Sequence, residues 1–383
     1  MFLQPGLGSH YYQFVGLIWA EKSNKPRNSL FRGMKTYRVA ILGATGMVGQ
    51  HYIKMLHRHP WFRITALTGK ESVGKKYVEA VRGEAPEPPR EIAEMEVLPT
   101  DPKKVDADFV FSCLPTEAAR EAEPRFAEAG FPVFSDAAAY RMEEDVPLIV
   151  PEINPDHLNI VHTQKKKRGW DGYIVTTPNC TTVGLVLPLQ PLKQSLGIRR
   201  VIVTTMQAVS GAGYPGVASL SILGNVIPYI SGEERKVETE TAKILGRLGD
   251  GRFMHDSVEV HATCTRVPTI DGHMESIYVE TEKPADEETV AELLAEYVSL
   301  PQELNLPTAP ARPVVVRREP DRPQPRIDVD AGTVPGMSVS VGRIRVNGEK
   351  VRFISLSHNL IRGAAGGTIL TAELARHMGL LGE

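Results

Sequence analysis

The chain contains 383 residues, 42% of them hydrophobic, and its 44 Lys and Arg nearly balance its 46 Asp and Glu. That length and hydrophobic content predict a sizeable core divided between two domains, and the balanced charge argues against a nucleic-acid or membrane-surface partner. The three cysteines are widely spaced and form no Cys-x-x-Cys pair, a pattern that disfavours disulfides and a cysteine zinc site, predicts no bound metal and favours a cytoplasmic location.

The first predicted strand, Tyr37–Leu42, runs through a glycine-rich turn into a helix. Residues 1–33 precede it and are interpreted as an extension outside the fold, and no apolar run is long enough to span a bilayer. In the turn, Gly43 permits the tight bend, Gly46 lets the backbone approach a pyrophosphate and Gly49 allows close helix packing. The pattern predicts a dinucleotide site, and its pyrophosphate turn comprises Gly43, Thr45, Gly46, Met47 and Val48.

The second predicted strand ends where the adenosine ribose of a dinucleotide would lie. NAD-selective sites usually carry Asp or Glu at this position, whereas this chain has Thr68, Lys70, Ser72 and Lys75, with Glu71 as the single acid. Hydroxyl groups and cations suit the 2′-phosphate of NADP, so NADP is the predicted cofactor. A solvated basic loop is the alternative interpretation.

Strands and helices then alternate along the chain. Residues 107–112 form a predicted strand that ends at Cys113, residues 116–129 a helix, and residues 131–134 the next strand. Such alternation predicts an α/β fold with a doubly wound parallel sheet of the Rossmann type, whose ligands gather at the carboxyl ends of the strands. Cys113 is therefore expected beside the cofactor.

From about Trp170 the predicted strands become longer and alternate polar with apolar residues. The pattern, clearest in 201–208, 261–267 and 276–280, predicts an α+β domain with a mixed sheet. The Pro- and Arg-rich segment 306–326 is interpreted either as a flexible linker or, because it contains three consecutive valines, as an ordered arm or edge segment.

Two domains follow from this pattern, in addition to the extension at residues 1–33. Residues 34–165 are predicted to form the NADP-binding domain, completed by a C-terminal helix within 357–383. Residues 166–356 are predicted to form a catalytic and dimerisation domain. The basic run from Lys165 to Arg168 is expected in a surface loop.

Cys180 lies in Pro178-Asn179-Cys180, where an apolar run gives way to a predicted helix. At a helix N-terminus, unpaired N–H groups and the helix dipole favour the thiolate, which is the nucleophilic form. Cys180 is thus a candidate nucleophile, and a buried, unreactive cysteine is the alternative.

Further along the chain, Gln207 ends an apolar strand, and Arg266 and His273 flank a proline and an Asp-Gly turn. An arginine can grip a carboxylate with two hydrogen bonds, and a histidine titrates near neutrality and can move protons. Each could instead serve only the local fold, the arginine and histidine as hairpin caps. Their occurrence together with Cys180 favours a catalytic site.

These motifs resemble those of the aspartate-β-semialdehyde dehydrogenase family, and more closely its archaeal and fungal branch. The resemblance covers residues 34–383 and rests on five segments that occur in the same order and at the same separations. They are Gly43–Gly49, Pro178–Thr182, Gln207–Gly216, Gly232–Lys236 and Arg266–His273.

The resemblance implies reductive dephosphorylation of aspartyl 4-phosphate by NADPH, giving aspartate semialdehyde and phosphate for lysine, threonine and methionine synthesis. It also implies a homodimer or homotetramer. The implied catalytic residues are Cys180 as the acyl-thioester nucleophile, His273 as the acid/base and Gln207 as the residue that orients the thioester. The implied substrate ligands are Arg266 for the carboxylate, Glu234 for the amine with its neighbour Glu233 as the alternative, Lys236 and Arg141 for phosphate, and Asn179. The implied nicotinamide contacts are Ser210, Gly211 and Asn359.

Three alternatives remain open at this point. Malonyl-CoA reductase shares the 211–216 loop and the proline-rich arm, but Asn179, Gln207 and the Glu-Glu-x-Lys cluster favour the amino-acid enzyme. The substrate of N-acetylglutamyl-phosphate reductase lacks the free amine that Glu234 would bind. A catalytically silent Rossmann nucleotide-binding protein would have no need of Cys180 and His273 together.

Overall fold

The computed structural model describes residues 35–81 and 88–382, so the predicted N-terminal extension lies outside the described residues. Two large sheets organise them: one of six strands, built from the first half of the chain, and one of five strands, built from the second half. A third sheet has only two short strands. No helix in these described segments is both long and apolar enough to cross a membrane.

The six-stranded sheet is entirely parallel and has the strand order β3-β2-β1-β4-β5-β6. Its strands are β1 (Tyr37–Leu42), β2 (Phe62–Gly69), β3 (Val97–Pro99), β4 (Phe109–Ser112), β5 (Pro132–Ser135) and β6 (Tyr173–Thr176). The helices of this half are α1 (Met47–Leu56), α2 (Tyr77–Ala80), α3 (Arg90–Ala93), α4 (Thr116–Glu128) and α5 (Val161–Arg168). Alternation of strand and helix therefore produces the predicted doubly wound sheet.

The second half begins with the long helix α6 and contains seven further strands. Its helices are α6 (Cys180–Leu196), α7 (Ser219–Ile222), α8 (Glu233–Ile244), α9 (Glu287–Glu296), α10 (Leu300–Glu303), α11 (Pro325–Asp328) and α12 (Gly366–His377). Its strands are β7 (Ile198–Gln207), β8 (Arg247–Gly249), β9 (Arg252–Met254), β10 (Glu259–Arg266), β11 (His273–Ala285), β12 (Val314–Val316) and β13 (Val339–Ser357).

The five-stranded sheet is mixed, as predicted, with the order β10-β7-β11-β13-β12. Strand β7 pairs in parallel with β10 and antiparallel with β11, while the proline-rich segment contributes β12 as an edge strand parallel to β13. Helix α6 covers one face of this sheet with a continuous apolar core. The opposite face carries residues such as Ile202, which is 45% exposed.

Helix α12 packs on the parallel sheet although it lies at the end of the second half of the chain. Ile369 and Leu370 share one hydrophobic core with residues of β1 and β4. Polar contacts add to this packing, because the buried Glu373 lies 2.7 Å from His59 Nε2 and Thr368 donates to Asp136 at 2.6 Å. The parallel sheet thus depends on residues from both ends of the described chain.

The basic run at Lys165–Arg168 is not a loop, in contrast to the sequence expectation. It forms the last turn of α5, which ends at Gly169 in the left-handed conformation (φ 69°). Cations are favoured at the carboxyl end of a helix, and Arg168 also donates to the carboxylate of Asp145 at 2.5 and 2.6 Å.

Candidate active site

The glycine-rich turn after β1 is shaped by backbone contacts. Gly43 has a φ of +85°, and the N–H groups of Gly43 and Ala44 both donate to Thr68 O on β2. A Cβ atom at Gly49 would lie 2.5 Å from Ala44 O, so only glycine lets α1 pack this closely. At Gly46, by contrast, a Cβ atom would approach only Gly43 O, which leaves this backbone open to a ligand at the start of α1.

Hydroxyl groups and lysines lie at the carboxyl end of β2. The buried Thr68 hydroxyl is 2.9 Å from that of Thr100, and Ser72 is buried nearby against Gly69. Lys70 and Lys75 are exposed. The solvent-facing charge at this end is therefore mainly cationic. Cys113 lies across the turn, where its thiol donates to the carbonyl groups of Leu42 and Gly43.

Helix α6 begins at Cys180 because Asn179 caps it. The Asn179 side-chain oxygen accepts hydrogen bonds from the N–H groups of Thr181 and Thr182, and its backbone oxygen accepts from Val183. Such caps satisfy amides that the helix itself leaves unpaired. Within the described residues, the Cys180 N–H is left without an acceptor in this first turn.

Cys180 and His273 meet although they are far apart in sequence. The Cys180 Sγ atom lies 3.3 Å from His273 Nε2, and the other ring nitrogen, Nδ1, accepts a hydrogen bond from the Ala208 N–H at 3.1 Å. Because a backbone N–H can only donate, this contact leaves the proton of a neutral imidazole on Nε2. His273 therefore presents an N–H group to the sulfur.

The Cys180 thiol has a raised pKa, whereas the sequence predicted that the helix start would favour the thiolate. Burial, followed by the negative charge of Glu233, raises the pKa of Cys180 to about 12. The cations Arg141, Arg266 and Lys236 oppose this effect and lower the pKa of the same thiol. Burial and Glu233 thus outweigh the three cations, which are the charged groups that favour the thiolate.

His273 is held in its neutral form. Burial, together with the positive charge of Arg266, lowers the pKa of His273 to about 3. The side chain is fully buried, and a Cβ atom at Gly211 would lie 2.9 Å from its ring. The absence of a side chain at Gly211 is therefore what leaves room for the ring.

Arg266 and Gln207 end two neighbouring parallel strands, β10 and β7, and are paired in register. Arg266 donates from Nη1 to the Ala208 carbonyl at 2.7 Å. The same residue, Ala208, therefore orients both His273 and Arg266 through its main chain. Gln207 is buried and its amide donates to Thr205 Oγ1 at 3.3 Å.

Glu233, rather than the predicted Glu234, lies beside Asn179. Glu233 Oε1 accepts from Asn179 Nδ2 at 2.8 Å, and Oε2 accepts from Lys236 Nζ at 3.1 Å. Glu234 instead accepts the Cys264 N–H on β10 at 3.1 Å. Successive residues of a helix point about 100° apart, so a shift of one residue moves the carboxylate from the pocket to the edge strand.

Arg141 is buried beside this cluster and is held by two acceptors. Its Nη1 donates to Glu240 Oε1 at 3.1 Å and its Nη2 to the Asp136 carbonyl at 2.6 Å. Glu240 was not identified from the sequence, although its spacing from Glu233 and Lys236 places all three on one face of α8.

The remaining predicted contacts form a small network at the end of β13. Asn359 donates to Ser210 Oγ at 2.8 Å and accepts the Gly272 N–H at 2.9 Å. Gly363 was not singled out from the sequence either, and a Cβ atom there would lie 2.6 Å from the Cys180 Cβ. The structure thus brings Ser210, Gly211 and Asn359 close to Cys180 and His273.

Two protein-family models match the chain. The semialdehyde dehydrogenase NAD binding domain matches residues 38–161, and the semialdehyde dehydrogenase dimerisation domain matches residues 189–362. Together the two matches span the parallel sheet up to α5 and most of the second half.

Curated relatives and solved structures are similar over most of the chain. An aspartate-semialdehyde dehydrogenase of Archaeoglobus fulgidus is 56% identical over 88% of this chain and 97% of its own. A malonyl CoA reductase (NADP) of Metallosphaera sedula is 45% identical over 91% of this chain and 99% of its own. The crystal structure of Candida albicans aspartate semialdehyde dehydrogenase with NADP superposes with a TM-score of 0.83 at 41% identity, covering 90% of this chain and all of that one.

Proposed function

The chain belongs to the semialdehyde dehydrogenase family, and we propose that it is the NADP-dependent enzyme that converts aspartyl 4-phosphate into aspartate 4-semialdehyde and phosphate. The observation that most directly supports this function is the contact of 3.3 Å between Cys180 Sγ and His273 Nε2. Three cations, Arg141, Arg266 and Lys236, and the buried Glu233 lie close to this thiol. Aspartyl 4-phosphate carries the groups that these charges would bind: a carboxylate, an amine and a phosphate.

The residues around the glycine-rich turn fit NADP. Gly46 and the start of α1 present open backbone for the pyrophosphate, and Lys70 and Lys75 supply exposed cations at the 2′-phosphate end. Ser210 and Asn359 would face the nicotinamide ring. When bound, NADPH supplies the hydride that reduces the acyl carbon.

Cys180 attacks the acyl phosphate as its thiolate, which Arg141, Arg266 and Lys236 favour. A carbon–sulfur bond forms, the carbon–oxygen bond to phosphate breaks, and phosphate carries the electron pair away. The Cys180 N–H at the start of α6 is the donor available to the oxyanion that develops on the acyl oxygen.

His273 acts after the acyl carbon has been reduced. The carbon–sulfur bond then breaks, the aldehyde C=O forms and the sulfur leaves with the electron pair. Because the Nε2–H group points at Sγ, His273 hydrogen-bonds to the departing thiolate; as the imidazolium ion it donates the proton that the sulfur accepts and returns to the neutral ring. In the reverse direction the thiol proton passes to the neutral ring, which becomes the imidazolium ion.

Different charged groups bind different parts of the substrate. Arg266 keeps N–H groups beyond its contact to Ala208 and grips the substrate carboxylate. Glu233, already next to Asn179, accepts the substrate amine in place of the predicted Glu234. Lys236 and Arg141 hold the phosphate.

The match to a dimerisation domain supports self-association. We assign the contact between two copies to the exposed face of the five-stranded sheet, where Ile202 is 45% exposed, and we infer a homodimer or homotetramer. We propose a division into an NADP-binding domain, residues 34–165 with the C-terminal helix, and a catalytic domain, residues 166–356, although β6 of the parallel sheet lies beyond this boundary. The three unpaired cysteines support a cytoplasmic location.

One assay tests the substrate. NADP reduction by aspartate semialdehyde should require inorganic phosphate, and malonyl-CoA and N-acetylglutamate semialdehyde should be poor substrates. Arg266→Lys should raise the KM for aspartate semialdehyde, because a point charge replaces a two-pronged contact, and Lys236→Ala should raise mainly the KM for phosphate. Reduction of malonyl-CoA without any oxidation of the semialdehyde in saturating phosphate would refute the assignment.

A further inference from the structure

Helix α8 presents an alternating series of charges along one face. Glu233, Lys236, Glu240 and Lys243 follow one another at intervals of three or four residues, which places them on the same side of a helix. The first two belong to the proposed substrate-binding site. Glu240 and Lys243 have no role in that proposal, although both are almost completely buried, with exposed fractions of 2% and 1%.

Glu240 joins two parts of the site with one carboxylate. Its Oε1 atom accepts from Arg141 Nη1 at 3.1 Å, and its Oε2 atom accepts from the backbone N–H of Asn179 at 2.6 Å. Asn179 directly precedes the nucleophile Cys180 and caps its helix. The phosphate-binding arginine and the start of the nucleophile helix are therefore tied to the same side chain.

Lys243 binds the backbone of Arg141. Its Nζ atom donates to the backbone carbonyl groups of Arg141, Glu143 and Val146 at 2.7, 2.8 and 2.8 Å. All three donors of the ammonium group are satisfied, which fixes the main chain that carries Arg141. Helix α8 thus contacts Arg141 twice. Lys243 binds its backbone carbonyl, and Glu240 binds its guanidinium group.

We propose that Glu240 is a positioning residue that keeps the phosphate-binding group of Arg141 at a fixed place relative to the Cys180 thiol. It acts through Arg141 and Asn179 and contacts no reacting atom. This inference rests on the proposed function, in which Arg141 binds the phosphate that leaves when Cys180 forms the thioester.

A carboxylate is required because two donors converge on the side chain. Glutamine has the same shape but a single acceptor oxygen, so its NH₂ group would face either Arg141 or the Asn179 N–H, and one of the two contacts would be lost. Arg141 would then lose either its partner or its alignment with Cys180. The glutamine variant should therefore bind phosphate more weakly, with a smaller loss in its affinity for the aldehyde.

The experiment compares Glu240→Gln with the wild type in phosphate-dependent oxidation of aspartate semialdehyde by the full chain. We expect the KM for phosphate to rise roughly tenfold, with a smaller change in the KM for aspartate semialdehyde. Glu238→Gln is the matched control, because Glu238 lies on the same helix but accepts the Ala262 N–H on β10. It should leave both constants unchanged.

A double-mutant cycle with Arg141→Ala separates positioning from general stability. If Glu240 acts through Arg141, the effects of Glu240→Gln and Arg141→Ala on the phosphate KM should be strongly non-additive. Additive effects, or an unchanged phosphate KM in Glu240→Gln, would overturn the inference. Should Glu240→Gln fail to fold, Glu240→Asp keeps the charge but reaches one donor only, and the same criteria apply. A wild-type enzyme that needs no phosphate would instead refute the proposed function itself.

Discussion

The cofactor turn and the start of the nucleophile helix are built in opposite ways. The turn after β1 is formed by neighbouring backbone groups, such as the Gly46 N–H that donates to Gly43 O. The nucleophile end is formed by charged side chains distant in sequence, because Asn179 is 61 residues from Glu240 and Arg141 is 99 residues from it. The turn therefore depends mainly on backbone contacts between residues close in sequence. The nucleophile end depends on charged side chains that are far apart in sequence.

This difference determines what a single substitution can do. A backbone site keeps its hydrogen bonds when side chains around it change, so substitutions there should alter selectivity more than chemistry. At the nucleophile end each buried charge has a specific partner, and removal of one leaves another unpaired. We therefore expect large effects around Cys180 and modest ones at the cofactor end.

The largest effect is expected for Cys180→Ala. Turnover should fall by roughly 10⁵-fold or more, because no other group can form the thioester, while NADP binding, measured by fluorescence titration, should persist. Cys264→Ala removes a buried thiol from β10 and should retain turnover. Substantial activity of Cys180→Ala would eliminate the thioester mechanism.

His273→Asn should lower kcat by roughly 10²–10⁴-fold, the usual effect of losing an acid/base group. The KM for aspartate semialdehyde should change less, since His273 binds the sulfur and not the substrate charges. Steady-state kinetics across pH 6–9 measure both constants. A pH–rate profile of unchanged shape and height would make His273 a purely structural residue.

The reactivity of Cys180 with iodoacetamide reports the charges around it. Because the pKa of the thiol is about 12, the thiolate fraction and the alkylation rate should rise about tenfold per pH unit from pH 6 to 9 without a plateau. Glu233→Gln removes a charge that raises this pKa and should accelerate alkylation at pH 8 by roughly three- to tenfold. Glu234→Gln, one residue away, should have no effect; equal rates in all three proteins would contradict the electrostatic account.

The smallest effect is expected at the cofactor end. Replacing Lys70 and Lys75 together by alanine should reduce the preference for NADP over NAD in kcat/KM by roughly tenfold, because the cations face the 2′-phosphate. The exposed pair Lys166 and Lys167 on α5 provides a control of equal charge. If the variant keeps the full preference, the hydroxyl groups at Thr68 and Ser72 account for it instead.

The same comparison explains which features of the fold and the site could be predicted from the sequence. The parallel sheet, the mixed sheet and the edge strand at Val314–Val316 follow from periodicities that neighbouring residues carry. So does the start of α6 at Cys180, for which Pro178 and Asn179 are local signals.

The charged contacts could not be read from the sequence in this way. The preference for Glu233 over Glu234 depends on the rotation of α8, and the roles of Glu240 and Lys243 depend on partners about a hundred residues away. The raised pKa of Cys180 reflects burial, which no local pattern reveals. The spacing of charges along α8 was the one available signal.

Helix α12 has a consequence for the order in which the protein is made. Its residues complete the core of the parallel sheet, yet they come at the end of the second half of the chain. During synthesis, the first half therefore leaves the ribosome with one face of its sheet still open to water, and it must remain so until residues 366–377 emerge. Nascent chains that stop before Gly366 should accordingly be cleaved by protease in the first half, and the enzyme should become resistant there only when its last helix has been added.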